Sequence, residues 1–236
     1  MTTDPLALMN EVARATDRML RTAATLDDAG VAAPSALPGW TRGHVLTHLA
    51  RNADGMGNLL HWARTGIVTP QYPSPAKREA DIETGAPRGA AEQFADVRDS
   101  AARYADAAAD LTPEQWMTVL PIPGAPQTAA FGVWRRLREV EVHHVDLDAG
   151  YGIGDWPASF SHRLLHEIVT GYARRDDAPA LSLHPDETGH PLWVGAGGPV
   201  VSGPAYALAG WLTGRSTGDG LTIAPAGPLP ALPDWM

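Results

Sequence analysis

The sequence predicts an α+β protein in which a four-helix bundle is followed by a smaller C-terminal α/β domain. Two observations carry this reading. Between residues 5 and 147 lie four long segments with helical spacing, or free of proline, each bounded by recognisable start and stop signals. Past Gly154 the pattern shortens into brief runs with strand character around two further helices. The division therefore falls near Gly154, with a bundle over 1–154 and a small domain over 155–236. At 236 residues and 44% hydrophobic composition, the chain is long enough to bury two true cores.

The first helix starts at Asp4, an N-cap followed by Pro5, and Leu8, Val12, Ala15, Met19 and Ala23 recur at helical spacing toward a stop at Gly30. Leu37-Pro38-Gly39-Trp40 reads as a turn. Thr41 caps a second helix of roughly six turns, closed by Gly66 after Thr65. Ile67 to Pro87 carries four prolines and is read as one long loop over an end of the bundle. A third helix spans about Arg88 to Asp110 with an apolar stripe of Ala91, Phe94, Val97, Ala101 and Tyr104. Pro113 to Trp116 is a short turn and Leu120 to Pro126 a proline-rich crossing. The fourth helix runs from Thr128 to about Leu147, ahead of Gly150. Beyond the division come a helix over Ala158 to Arg174 and strands at Ala180–Leu183, Pro191–Val194, Val200-Val201 and Leu221–Ala224. The first two strands pair as a hairpin around Asp186 to Gly189, and a helix from Pro204 to Thr213 precedes the last.

Composition removes several function classes. Eighteen basic residues against 27 acidic ones give a formal charge of −9, with the acids scattered, which argues against a nucleic-acid partner. Charged residues break up the first 25 positions, so they read neither as a signal peptide nor as a membrane span, and a cytoplasmic, soluble protein is expected. With no cysteine in the chain, any metal must sit on His, Asp or Glu, and any thiol chemistry needs a thiol from outside. No P-loop, GxGxxG, GxSxG or HExxH pattern occurs in a convincing setting.

The histidines carry the chemical information. His44 with His48, Glu139 with His143, His144 with Asp148, and His162 with His166 each stand four apart, which on a helix places two side chains on one face about 5–6 Å apart at Cβ. A histidine from the second helix and a Glu-xxx-His pair from the fourth would give the three-ligand arrangement of a catalytic zinc. The set His48, Glu139 and His143 is preferred: a carboxylate with imidazoles suits zinc, and His48 lies in an apolar run where an unpartnered imidazole is costly. Each residue also has a plainer reading. His48 fits a core histidine bonded to a carbonyl, and Glu139 fits a surface ion pair with Arg135 or Arg136. Arg215, after Gly214, has a planar fork suited to a substrate carboxylate, or serves as a charge at a helix C-terminus.

Four runs extend this reading: Leu37-Pro38-Gly39-Trp40-Thr41-Arg42 through His48-Leu49-Ala50; Asn58 to Gly66; Arg138-Glu139-Val140-Glu141-Val142-His143-His144-Val145-Asp146-Leu147; and Val201-Ser202-Gly203 with Leu212-Thr213-Gly214-Arg215. In order and spacing they closely resemble the mycothiol-dependent maleylpyruvate isomerases, over nearly the whole chain. The resemblance implies a DinB-like bundle with a C-terminal α/β domain, and a divalent metal, usually zinc, on His48, Glu139 and His143. It implies an essential arginine at Arg215 and mycothiol as the borrowed thiol. The implied reaction is the conversion of maleylpyruvate to fumarylpyruvate in gentisate breakdown: thiolate addition to the cis double bond, rotation, and thiolate expulsion. The implied partners are thus a small dicarboxylate and a low-molecular-weight thiol; a monomer is the expectation for the chain itself. Glu141 departs from relatives that carry an aromatic residue there; it is expected either to alter the charge beside the ligands or to face solvent. A mycothiol S-transferase and a non-catalytic metal or apolar-ligand binding module are the competing readings.

Overall fold

The computed structural model describes residues 4–122 and 126–235. The chain forms two compact units, one reaching to Tyr151 and the other beginning at Gly152. Most of the chain is helical, with a small sheet confined to the C-terminal unit, an α+β fold.

In the first unit, α1 (Pro5–Ala23), α2 (Asp28–Ala32), α3 (Arg42–Thr65), α4 (Pro75–Gly85), α5 (Ala90–Ala109), α6 (Pro113–Trp116) and α7 (Ala129–Asp146) follow in order. The four long helices close a ring in which α1 packs on α7, α7 on α3, α3 on α5 and α5 on α1. Leu8, Val12 and Met19 meet Val45, Leu49, Met56, Val97, Val133, Trp134, Leu137 and Val140 in the core. Each fully buried aliphatic side chain of this kind contributes about 1.5–3 kcal/mol. Every residue of α3 from Val45 to Ala50 is buried, because α4, α5 and α7 all lie against it. Its polar residues in that stretch therefore sit inside the protein, which is what gives His48 its importance.

The caps follow the sequence closely at three helices. Asp4 accepts from Leu6 N–H, Thr41 from His44 N–H and Thr128 from Phe131 N–H, and Gly66 closes α3 at φ 74°. Three expectations are corrected. The first helix ends at Ala23 rather than at Gly30: the Thr25 hydroxyl donates to Thr22 O, and Asp27 caps the separate turn of α2 by accepting from Gly30 N–H. The long loop from Ile67 to Pro87 contains α4, since Ser74 caps it and Pro75 occupies a first-turn position where proline has no hydrogen bond to lose. On α5 the buried face is Gln93, Val97, Ser100, Tyr104 and Ala108, with Ala91 exposed and Phe94 and Ala101 only half-buried. Gln93 belongs inside because its amide donates to Gly85 O and Ala86 O and accepts from the Thr47 hydroxyl.

The segment after α4 runs so close to α3 that a Cβ on Gly43 would stand 2.2 Å from Ala86 O. That approach needs glycine and holds α4 along the side of α3 that bears His44 and His48. Of the crossing expected over Leu120 to Pro126, residues 123–125 lie outside the described residues. On either side β1 (Val119–Leu120) and β2 (Gln127–Thr128) pair antiparallel.

The second unit contains a 3-10 turn at Ile153–Asp155, α8 (Ala158–Tyr172), β3 (Leu181–Pro185), β4 (Leu192–Val194), β5 (Val200–Gly203), α9 (Ala205–Leu212) and β6 (Thr222–Ala224). The sheet order is β4-β3-β5-β6: β3 pairs antiparallel with β4 as the expected hairpin, with Leu183 opposite Leu192, parallel with β5, and β5 antiparallel with β6. The two helices pack on each other, α8 against β4 and α9 against β3 and β5. Phe160, Leu164, Leu165, Leu181, Leu183, Val201 and Leu208 form its separate core. Among the described residues of the chain, no helix is long and apolar enough to cross a membrane.

Candidate metal centre

Inside the first unit, α3 and α7 bring His48, Glu139 and His143 together, so that one ligand atom from each lies within 4.8 Å of the others. Among the described residues this is the cluster of three or more His and acidic side chains that could hold an ion. His48 Nε2 is 3.0 Å and His143 Nε2 3.5 Å from the same oxygen, Glu139 Oε2, and the two imidazoles meet edge to face with centroids 4.5 Å apart. The four-residue spacing on α7 supplies Glu139 and His143; the ring of helices supplies His48 across from them.

Burial and mutual hydrogen bonding set the protonation of the three groups. Burial, reinforced by the neighbouring His143, lowers the His48 pKa to about 4, against the opposing pull of Glu139, so the ring is neutral at pH 7. Burial alone would raise Glu139, but hydrogen bonds from His143 and His48 outweigh it and hold the carboxyl well below its ordinary range. Burial would lower His143, and bonding to Asp146 and Glu139 reverses this, so its pKa is raised. His143 Nδ1 donates to Asp146 Oδ2 at 2.8 Å, and Asp146 is buried. With its Nδ1 proton committed, a neutral His143 presents the lone pair of Nε2 to the site, the carboxylate–histidine arrangement that supports metal ligands. Two imidazoles and one carboxylate form a donor set matched to zinc. Asp146→Asn is expected to weaken zinc binding about 10- to 100-fold in a chelator-competition titration while the helical circular dichroism is retained.

His48 is held differently. An Arg78 guanidinium nitrogen lies 3.0 Å from His48 Nδ1. Arginine can only donate, so Nδ1 accepts, and the single proton of the neutral ring resides on Nε2, directed at Glu139. The indole of Trp40 flanks the ring at 5.8 Å between centroids.

The other histidine pairs are engaged elsewhere. His44 closes the N-terminal cap of α3, with Nδ1 accepting from Thr41 N–H at 3.1 Å and Nε2 3.5 Å from Glu83. His144 Nε2 is 2.8 Å from the Thr22 hydroxyl, and its ring stacks on Tyr151 at 3.7 Å. His162 lies in the second unit, 4.0 Å from Glu187. Glu141 does not face solvent: it is 1% exposed, pairs with Arg18 and accepts from Tyr151 Oη at 2.6 Å. Burial raises its pKa. Arg136 is wholly buried and gives Nη1 to Leu49 O and Asn52 Oδ1, each at 2.9 Å, so the surface position the ion-pair reading assumed for it does not exist. Arg215 follows α9, its backbone N–H donating to Gly210 O at 2.8 Å. Its Nη1 donates to Thr213 O at 2.7 Å and its guanidinium lies 5.8 Å from the Trp235 ring.

Two site residues escaped the sequence reading. Asp146 stands three residues after His143, a spacing that brings the two together on one helical face, and that was a usable signal. Arg78 lies in the segment expected to be loop, where no periodicity pointed at the site.

A helical bundle with a carboxylate and two imidazoles converging in its interior, followed by a small mixed α/β unit, falls in the class of bundle proteins whose core side chains can build a metal site. Within that class, residues 12–148 match the Mycothiol maleylpyruvate isomerase N-terminal domain and residues 155–234 the MDMPI C-terminal domain. The chain belongs to the mycothiol-dependent maleylpyruvate isomerase family. Two solved structures resemble it over 100% of both chains. One is the mycothiol-dependent maleylpyruvate isomerase, at 30% identity with a TM-score of 0.93; the other is a histidine-to-alanine mutant under the same name, at 29% and 0.92. No curated protein matches the chain.

Proposed function

We propose that this protein is a mycothiol-dependent cis–trans isomerase that converts maleylpyruvate to fumarylpyruvate on a zinc ion held by His48, Glu139 and His143. The observation that carries the reading is the convergence of those three ligand atoms within 4.8 Å in a chain of this family. The activity needs a thiolate, and the chain has no cysteine, so the thiol is brought in. Zinc when bound lowers the pKa of the thiol, whose sulfur adds to the conjugated double bond, permits rotation about it and leaves again.

The chain's own residues do the rest. His48, kept neutral by burial, and His143, oriented by Asp146, offer ring nitrogens, and ionised Glu139 offers one negative charge. Two neutral ligands and one anionic ligand leave the dication with net positive charge, the condition for holding a thiolate. His48 lies on a buried stretch of α3, with Val45, Leu46 and Leu49 also buried, and burial strengthens electrostatic interactions. Arg215 is assigned to hold a carboxylate of the dicarboxylate substrate and to balance the enolate-like charge that develops during the reaction. In this reading the protein is a cytoplasmic monomer.

Incubating the zinc-loaded protein with mycothiol and maleylpyruvate tests the reaction class. Isomerisation with many turnovers and no net loss of thiol is expected. A stable carbon–sulfur conjugate formed in stoichiometric amount with thiol consumption would instead make it a mycothiol S-transferase. A folded protein that binds no zinc would make it a binding module.

A further inference from the structure

In the first unit, α1 and α5 meet through small side chains. Ala13 of α1 and Ala101 and Ala105 of α5 leave a cavity of about 210 Å³ between the helices, with Val12 and Leu20 adding apolar wall. Its least exposed lining residues are Tyr104 of α5, at 2%, and Arg136 of α7, at 0%. His48, Glu139 and His143 are not among the residues that line it.

The donors at this buried end lack acceptors. A guanidinium carries five N–H groups. Arg136 Nη1 gives its two to Leu49 O and Asn52 Oδ1, but Nε and Nη2 are buried without a hydrogen-bond partner, and so is Tyr104 Oη. Arg18 pairs with Glu141, and Arg51 and Arg88 pair with Asp96; among the described residues Arg136 has no such carboxylate. Burial pulls its pKa down, yet a guanidinium stays charged at neutral pH. Burial raises the Tyr104 pKa, so the hydroxyl keeps its proton and can donate. A fully buried cation whose partners are all neutral is costly, and buried donors of this kind are normally matched.

What would match them has a definite shape. Nε and Nη2 lie along one edge of the guanidinium plane, the edge that meets both oxygens of a carboxylate in two parallel hydrogen bonds. Tyr104 Oη adds a third donor. The apolar wall then calls for an apolar body on the same molecule. There is room for one: an apolar cavity of about 150 Å³ is enough to hold benzene. Asp17, the one carboxylate among the lining residues, is exposed, where water and salt screen its charge.

We propose that the cavity between α1 and α5 is a binding site for a small carboxylate with an apolar body. The carboxylate takes the Nε and Nη2 edge of Arg136 and the Tyr104 hydroxyl, and the body lies among Val12, Leu20 and the alanines. The site is distinct from the metal centre and does not depend on the isomerase reading.

Benzoate is the probe. The zinc-loaded protein is titrated calorimetrically at fixed ionic strength, and the titration is repeated after a chelator has removed the zinc. One equivalent is expected to bind with the same affinity in both forms. Benzamide, which keeps the shape and lacks the charge, is expected to bind about tenfold more weakly or worse. Tyr104→Phe removes one donor and keeps the ring, and is expected to weaken benzoate binding about tenfold. Ala101→Leu fills the cavity and is expected to weaken it about 100-fold or more, with zinc content and helical circular dichroism unchanged. Both variants spare Arg136, whose Nη1 bonds tie α7 to α3. Absence of benzoate binding would overturn the proposal, and so would binding that vanishes with the zinc, which would place benzoate on the metal. Equal affinity for benzamide would remove the carboxylate from the assignment, and unchanged affinity in either variant would remove the cavity.

Discussion

His48→Ala is expected to lose both the metal and the reaction: zinc content after dialysis falls from one ion per chain to near none, and mycothiol-dependent isomerisation drops by about 10³-fold or more. The argument starts from burial. His48 is 4% exposed on a stretch of α3 with no solvent face, so no water-exposed side chain can take its place as third ligand. Glu139 and His143 alone leave a two-ligand site, short of the three protein ligands of catalytic zinc centres. The substitution also removes one of the two hydrogen bonds that hold Glu139 ionised against the effect of burial. The bundle should survive, because Val45, Leu46 and Leu49 keep α3 packed and alanine favours helix. A folded His48→Ala protein that retained stoichiometric zinc and full activity would sink the metal assignment.

The parts of the site legible in the sequence were those set by short-range rules. Glu139 and His143 share a helical face by spacing alone, and Thr41, Gly66 and Thr128 mark the ends of α3 and α7 that present the ligands. What stayed hidden depends on approach between helices. The placement of α4 against α3 turns on a glycine contact at Gly43 with Ala86 O, and nothing in the local sequence distinguishes that glycine from a flexible one. The prolines around α4 concealed it for a related reason: Pro75 is a helix breaker in the interior and a helix starter in the first turn, and Ser74 decides which. Missing α4 meant missing Arg78. Gln93 and Arg136 were hidden by polarity, since both are buried through hydrogen bonds to backbone carbonyls that no hydrophobic pattern records.

Arg215→Ala is the second substitution with a large expected effect, and it separates two roles for one side chain. The guanidinium donates to Thr213 O at the end of α9, so a helix-end role is present whether or not Arg215 meets substrate. If that were its whole contribution, the alanine variant would lose about 0.3–1 kcal/mol of stability and keep its turnover. If Arg215 holds a substrate carboxylate and balances developing charge, turnover should fall by about 10²- to 10³-fold with zinc content unchanged. Arg215→Lys sharpens the distinction. A lysine keeps a positive charge at the helix end but cannot present two parallel donors to a carboxylate, so it should restore melting temperature and leave most of the catalytic loss in place. Full activity in the lysine and alanine variants alike would return Arg215 to a structural role.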